Sequence, residues 1–547
     1  MKPNIKLQKI KKSENSILIN ALKSHAKGDL DTAKDLFLKF YKIHPNYVGL
    51  KASIAKVCAE LSQFDEALYY IIEDLKLNPT DPSTLTNCAF IQIQLGLVTE
   101  AYKNIKLAID ISPKRIESYF VFCSILTAQG DDQGALKVAL NALSIDPTSA
   151  TALNNLGTVL QKTGDTMAAR VAFESACILS PNSHEPFYNL ASLEAIANNS
   201  KKAIDLYNES LLKKSYTTTD ITSRVLYSQS FEYLKIGQLS QGWINYNHGF
   251  SNSVPFEYRR APNRSFSVPR WTGGPLNGGR LLIWGEQGIG DELLFLTCLA
   301  ELDSIDGYIL VECDSRLVQP LSRSFPKIIF RPSSYQFTLG LPAIFNDYNF
   351  HIPMGGLMEI FRSDISDFKR SKPYMIIDDK IANFFEDKLN TVCGLHKRIG
   401  ICWRSGKLSG QRNDHYTSLS DWGEIFSLPN YKFINLQYGE CEQELIDAEE
   451  KFSTHIIRWM DLDLKNDIDS TLALMSRLDL VITVGTSVSS MAATIEGLKV
   501  FQMGRKGWPN FGTDYDPAFP NIRCVFPPEG GIVADCIAEV AKILKQS

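Results

Sequence analysis

The sequence predicts an α-helical repeat solenoid followed by an α/β region built from two parallel-sheet halves. Three observations carry that expectation. Prolines stand at 45, 79, 113, 147 and 181, each 34 residues after the last, and alanines at 33, 67, 101, 135, 169 and 203 keep the same step, which marks a repeated supersecondary unit. After Gly279 the texture changes to short apolar runs spaced by helical stretches, as in sheets whose strands are joined by helical crossovers. A chain of 547 residues is also too long for one hydrophobic core, so several domains are expected.

Composition narrows the function classes. Hydrophobic residues make up 44% and charged residues 22% of the chain, the proportions of a soluble globular protein. The 57 Lys and Arg against 61 Asp and Glu give a formal net charge of -4. That argues against nucleic acid as a partner, because its phosphates need a concentrated basic surface. The basic start, "MKPNIKLQKIKKSENS", is followed by no apolar stretch of signal-peptide length, and no run of about 18 apolar residues promises a membrane span. The 11 cysteines are scattered, odd in number and free of CxxC pairs. Reduced thiols in the cytoplasm fit that usage better than a disulfide frame or a zinc site.

Within the repeats, Gly28, Gly96, Gly130 and Gly164 each precede an alanine by five residues. Each unit therefore reads as two antiparallel helices with Gly in the turn, Pro ending the second helix and Ala letting neighbours approach closely. A 34-residue helical hairpin so marked resembles the tetratricopeptide repeat, over about residues 14 to 217. Such arrays stack into a superhelix whose concave face holds a peptide or protein, or else brace a neighbouring domain or a dimer. From residue 218 the register slips, and Gly237 and Gly242 keep the turn-to-packing spacing in a degenerate capping unit. A mixed segment, "SNSVPFEYRRAPNRSFSVPRWTGGPLNGG", follows as a linker pinned by Phe256, Tyr258 and Trp271. The expected domains are thus 1–217 repeats, 218–275 capping unit and linker, 276–376 first α/β half, and 377–547 second half.

Eight strands are expected, at "RLLIW" (280), "YILVEC" (308), "KIIF" (327), "NFHIPM" (349), "RIGICW" (398), "KFINLQ" (432), "DLVITVG" (479) and "KVFQMG" (499). The charged helix "DDKIANFFEDKLNTVCG" at 378 divides them into two Rossmann-like halves facing a cleft, with functional loops at the carboxyl ends of the strands. "WTGGPLNGGRLLIWGEQGIGDELLFLTCLAEL", "IGICWRSGKLSGQRNDHYTSL", "FINLQYGE" and "LALMSRLDLVITVGTSVSSMAATIEGLKVFQM" together resemble bacterial glycosyltransferases that carry tetratricopeptide repeats ahead of a GT-B, heptosyltransferase-like catalytic region. The resemblance implies transfer of a sugar from a nucleotide-sugar donor to an acceptor, without a cofactor. It also makes flagellin a favoured protein acceptor, because some relatives modify flagellin before export.

The loop "GEQGIGDE" turns the first strand into a helix. Its glycines run GxxGxG rather than GxGxxG, which disfavours a nicotinamide cofactor. Gly288 and Gly290 let a ligand approach the backbone closely. The resemblance makes Asp291 the base of an inverting transfer, removing the acceptor hydroxyl proton as the nucleotide leaves from the opposite face. The alternative is that Asp291 only caps the helix. Glu286 is a substrate-side candidate and, with Glu292, a weaker candidate for the base.

The second half is expected to hold the donor. Arg404, Lys407 and Arg412 lie on a loop directly after a strand, where cations offset a leaving phosphate without metal, or are merely solvated. Gln437 matches a position near the nucleotide, or is an ordinary strand-end residue. Gly485, Thr486, Ser487 and Ser489 form a Gly-Thr-Ser turn that offers amides and hydroxyls to phosphate. Where relatives carry an arginine-rich run this chain has His415, Tyr416 and Thr417, and where they carry an Asp and a His it has Gly485 and Ser490. The first departure tilts the donor toward a sugar linked through a nucleoside monophosphate. "DYD" at 514–516 mimics a metal-binding carboxylate pair but lies in a Pro-rich loop, so no metal is expected. Two other readings stay open: a non-catalytic binding scaffold, and transfer to a lipid or saccharide.

Overall fold

The computed structural model describes residues 12–213, 221–251, 254–255, 258–262, 264–333, 347–406 and 415–546. The chain forms two compact units, Met1–Gln229 and Ser230–Ser547.

Among the described residues the first unit contains twelve helices paired as hairpins, from Lys12–Ala26 to Ser200–Leu212, and the beginning of the helix Ile221–Lys235. The turn inside each hairpin sits on the 34-residue step. Gly28, Ser62, Gly96, Gly130, Gly164 and Asn198 have φ of 79°, 60°, 74°, 78°, 89° and 59°. All six are left-handed, a conformation glycine adopts without penalty and short polar residues tolerate. The six register alanines are fully buried, because each stands where one helix crosses another too closely for a larger side chain. Asp29, Asp131 and Asp165 accept the amides of Thr32, Gly134 and Ala168 and so start the second helices of three hairpins, each cap contributing about 1 kcal/mol. No single hairpin buries its apolar face alone: Phe37, Phe40, Ile54, Ile71 and Ile91, from successive helices, share one cluster.

The second unit contains two parallel sheets. The first has the order β3-β2-β1-β4, with β1 Arg280–Trp284, β2 Tyr308–Cys313, β3 Ile329–Pro332 and β4 Phe350–Pro353. Ile283 lies beside Val311 on one side and Ile352 on the other. The second has the order β10-β9-β8-β5-β6-β7, with β5 Lys397–Cys402, β6 Tyr431–Asn435, β7 Ile456–Ile457, β8 Leu480–Val484, β9 Lys499–Met503 and β10 Ile522–Val525. Eight strands match the apolar runs. The edge strands β7 and β10 do not follow from those runs, since β7 has two residues and β10, "IRCV", interrupts its apolar residues with an arginine. Read from one edge, the second sheet runs 7-6-5-8-9-10, the doubly wound order, and the first runs 3-2-1-4. Chain order reverses between β1 and β4 and between β5 and β8, and crevices open at such switch points outside the carboxyl ends of the strands.

The stretch expected to be a linker is part of this unit. Trp271 donates its amide to the His351 carbonyl at 2.8 Å, and His351 donates to the Pro269 carbonyl at 3.2 Å, so the segment covers the open edge of β4. Phe266 stacks on His351 at 3.8 Å. Trp271 is buried as expected, but Tyr258 is 70% exposed and anchors nothing; Phe256 lies outside the described residues. The anchor is Arg260, fully buried between the rings of Tyr246 and Phe250. Upstream, Trp243 is buried, donates its indole N–H to the Arg362 carbonyl of the first half at 3.1 Å, and meets Phe511 of the second. One aromatic thus ties both halves together. No helix among the described residues is long and apolar enough to cross a membrane.

Candidate functional site

The loops after β1 and β8 meet in one cleft of about 600 Å3. The three glycines of the first loop have different tasks. Gly285 donates to the Glu312 carbonyl, and a Cβ there would come within 2.9 Å of that oxygen, so a side chain is excluded by packing. Gly288 adopts ordinary extended backbone, with φ -107°, at the start of the helix Ile289–Phe295. At Gly290 a Cβ would stand 3.5 Å from Ser490 Oγ and 3.6 Å from the Ser487 Cα. These are ordinary contact distances, so the starts of the two helices, Ile289–Phe295 and Ser487–Ala493, face each other across the cleft without glycine being required there.

Asp291, half-buried, lines this cleft and also accepts the Gly288 amide on Oδ2 at 3.3 Å. Cap and cleft positions coincide in one residue. Opposite it stand Gly485, Thr486, Ser487 and Ser489, all in the lining. Ser489 Oγ donates to the Thr486 carbonyl at 2.7 Å and fixes the turn. A Cβ on Gly485 would meet only the Gln502 side chain, at 3.8 Å, so the turn leaves open space at that position.

Other sequence candidates have structural partners instead. Glu286 is 1% exposed; its carboxylate is gripped by the Arg260 guanidinium through two donors and accepts the Gly355 amide at 2.7 Å. It is outside the lining, because a carboxylate satisfied on both oxygens stays in the interior. Glu292 is also buried and outside the lining, accepting the Asp314 amide at 2.9 Å, and burial pushes its carboxyl up to about 8. Arg404 forks onto Glu444, whose hydrogen bonds raise its pKa, and donates to the Glu440 carbonyl at 2.7 Å. Only its neighbour Ser405 reaches the lining. Gln437 is buried and its Oε1 accepts the amides of Trp403 and Arg404 at 3.2 and 3.1 Å, tying the ends of β5 and β6. Lys407 and Arg412 lie outside the described residues. Of the departures from the arginine-rich run, Tyr416 lines the cleft, whereas Thr417 is buried and accepts the Trp422 indole at 2.9 Å.

The cleft also gathers residues that no linear motif marks. Lys465 brings positive charge to it, while Arg316 lines it with its guanidinium forked onto Asp314 and the Lys465 carbonyl. Tyr438 and Trp508 add aromatic surface. The two carboxylates of "DYD" face opposite ways. Asp514 points outward to Lys506 at 2.7 Å, while Asp516 is buried, lines the cleft, and has its carboxyl pushed up to about 7 by that burial. The only sequence signal is local: Asp516 accepts the amides of Ala518 and Phe519, a turn that Asp before Pro favours.

Comparison with known proteins bears on both units. The tetratricopeptide repeat family model matches residues 138–171. Protein FlbA of Caulobacter vibrioides is 27% identical over 422 residues, covering 75% of this chain and 70% of its own. The BBSome complex member bbs-4 of Caenorhabditis elegans is 23% identical over 145 residues, 26% of this chain and 31% of that protein. Among solved structures, a thermophilic TPR protein of Thermus thermophilus is 25% identical, covering 30% of this chain and 89% of that one, with a TM-score of 0.29. The chain therefore contains tetratricopeptide repeats and a two-sheet α/β region, and is similar over most of its length to FlbA.

Proposed function

We propose that the second unit is a glycosyltransferase of the inverting kind, working without metal on a nucleotide-sugar donor, and that the repeat array selects a protein acceptor. One observation carries the reading. Turns from the switch points of two separate parallel sheets, one bearing Asp291 and the other Thr486, Ser487 and Ser489, converge on one cleft. The donor phosphate lies against the Gly-Thr-Ser turn, with Lys465 offsetting its charge. The acceptor hydroxyl oxygen bonds to the anomeric carbon while the bond from that carbon to the phosphate oxygen breaks. The electron pair departs with the nucleotide, and the hydroxyl proton passes to Asp291. The acceptor atom is a Ser or Thr hydroxyl, and flagellin is the acceptor the family resemblance favours.

The test is intact-mass analysis of cellular proteins with and without this gene, repeated with Asp291→Asn. The amide keeps the cap to Gly288, so folding is preserved, while transfer falls by about 10²- to 10⁴-fold. An unchanged mass profile in both cases sinks the assignment. The commitment of Arg404 to Glu444 and the bare Gly485 favour a second reading, a scaffold that binds without transferring. A thermal-shift screen with nucleotides separates them: a ligand at 100 times its Kd adds about 2.7 kcal/mol, and a scaffold that has lost the donor site gains nothing.

A further inference from the structure

Asp516 is an unusual member of the cleft. It is 6% exposed, and Oδ1 alone accepts the amides of Ala518 and Phe519, both at 3.0 Å. Among the described residues no group donates to Oδ2 and no cation pairs with the carboxylate. Burying a carboxylate costs free energy that hydrogen bonds must recover; Oδ2 is not sealed off among the buried unpartnered atoms, so it is open to the cleft and to whatever fills it. The oxygen left over belongs to a residue of the cleft wall, beside Trp508, Phe519 and Ile522. Above its raised pKa of about 7 the carboxyl is ionised, only accepts hydrogen bonds and repels phosphate, so in that form it selects a hydroxyl or amine donor. Aromatic and apolar neighbours suit the flat face of a sugar ring.

Resting on the glycosyltransferase reading, we propose that Asp516 determines donor specificity by accepting a hydroxyl of the nucleotide sugar through Oδ2. Two parts of such a donor carry this chemistry, the ribose and the transferred sugar. Asp516→Asn keeps an oxygen for the two amides and replaces only the free acceptor with a donor. Calorimetry on the full-length protein with UMP, CMP, GMP and AMP identifies the nucleotide that binds. Its 2′,3′-dideoxy analogue and its commercially available nucleotide sugars are then titrated into wild type and D516N.

If the ribose is the partner, D516N weakens the ribonucleotide about 10- to 100-fold, as expected for a lost hydrogen bond to a charged group, and leaves the dideoxy analogue unchanged. Wild type then prefers the ribonucleotide over its dideoxy analogue by a similar factor, a reading that does not depend on how the variant folds. If the transferred sugar is the partner, D516N leaves the monophosphate unchanged and loses the added affinity of the nucleotide sugar. Equal affinities of wild type and D516N for every ligand overturn the inference alone. Absence of any nucleotide or nucleotide-sugar binding by the wild type overturns the functional reading and the inference with it.

Discussion

Replacing Glu286 by Ala tests whether the opening loop is held by a buried ion pair or contributes a carboxylate to the cleft. Arg260 is fully buried, and its Nε and Nη2 both point at Glu286. Deletion of the carboxylate removes the acceptor shared by those donors and the Gly355 amide, while Nη1 keeps the Tyr246 carbonyl at 3.1 Å. An uncompensated buried charge costs about 3–5 kcal/mol. Substituting both partners by leucine should recover much of that loss, since apolar residues of similar volume need no partner. Urea unfolding followed by tryptophan fluorescence reads the correct unit. The seven tryptophans stand at 243, 271, 284, 403, 422, 459 and 508, all within Ser230–Ser547. A loss below about 1 kcal/mol in E286A refutes the reasoning, and so does lost nucleotide binding with stability intact, because Glu286 would then act in the cleft.

Two further perturbations address electrostatics. Lys465→Ala should weaken the nucleotide that stabilises the wild type about two- to fivefold at low salt, as for an exposed ion pair, and the difference should disappear in 1 M KCl, where the screening length is about 3 Å. A salt-independent loss would mean that Lys465 acts through packing instead. The second concerns Glu292, whose folded-state pKa of about 8 lies above its ordinary 4.5 through burial. The wild type therefore loses stability as pH rises from about 5 through 8, while Glu292→Gln keeps an oxygen for the Asp314 amide and stays neutral. The stability of E292Q relative to wild type should climb by up to about 5 kcal/mol across that window. A flat difference between pH 5 and 9 counts against a neutral buried Glu292.

Much of the architecture was legible because it repeats or alternates over short stretches. The proline and alanine step specified the hairpins, and Ser62 and Asn198 show that the step is a backbone requirement, since both hold the left-handed turn that glycine holds elsewhere. Apolar runs located eight strands, and glycine loops after β1 and β8 located both turns of the cleft. Local patterns of this kind are fixed by hydrogen bonding and burial among near neighbours. What the sequence alone left undetermined is which polar groups remain available after folding. Glu286 and Arg404 read as site residues, yet Arg260 and Glu444, 26 and 40 positions away, take their charges. Arg316 reaches the cleft beside Lys465, 149 positions on, and Asp516 enters it while Asp514, two residues earlier, faces solvent. Burial enforces pairing through contacts between distant segments, so the tertiary structure alone decides which oxygen or cation is left for a ligand.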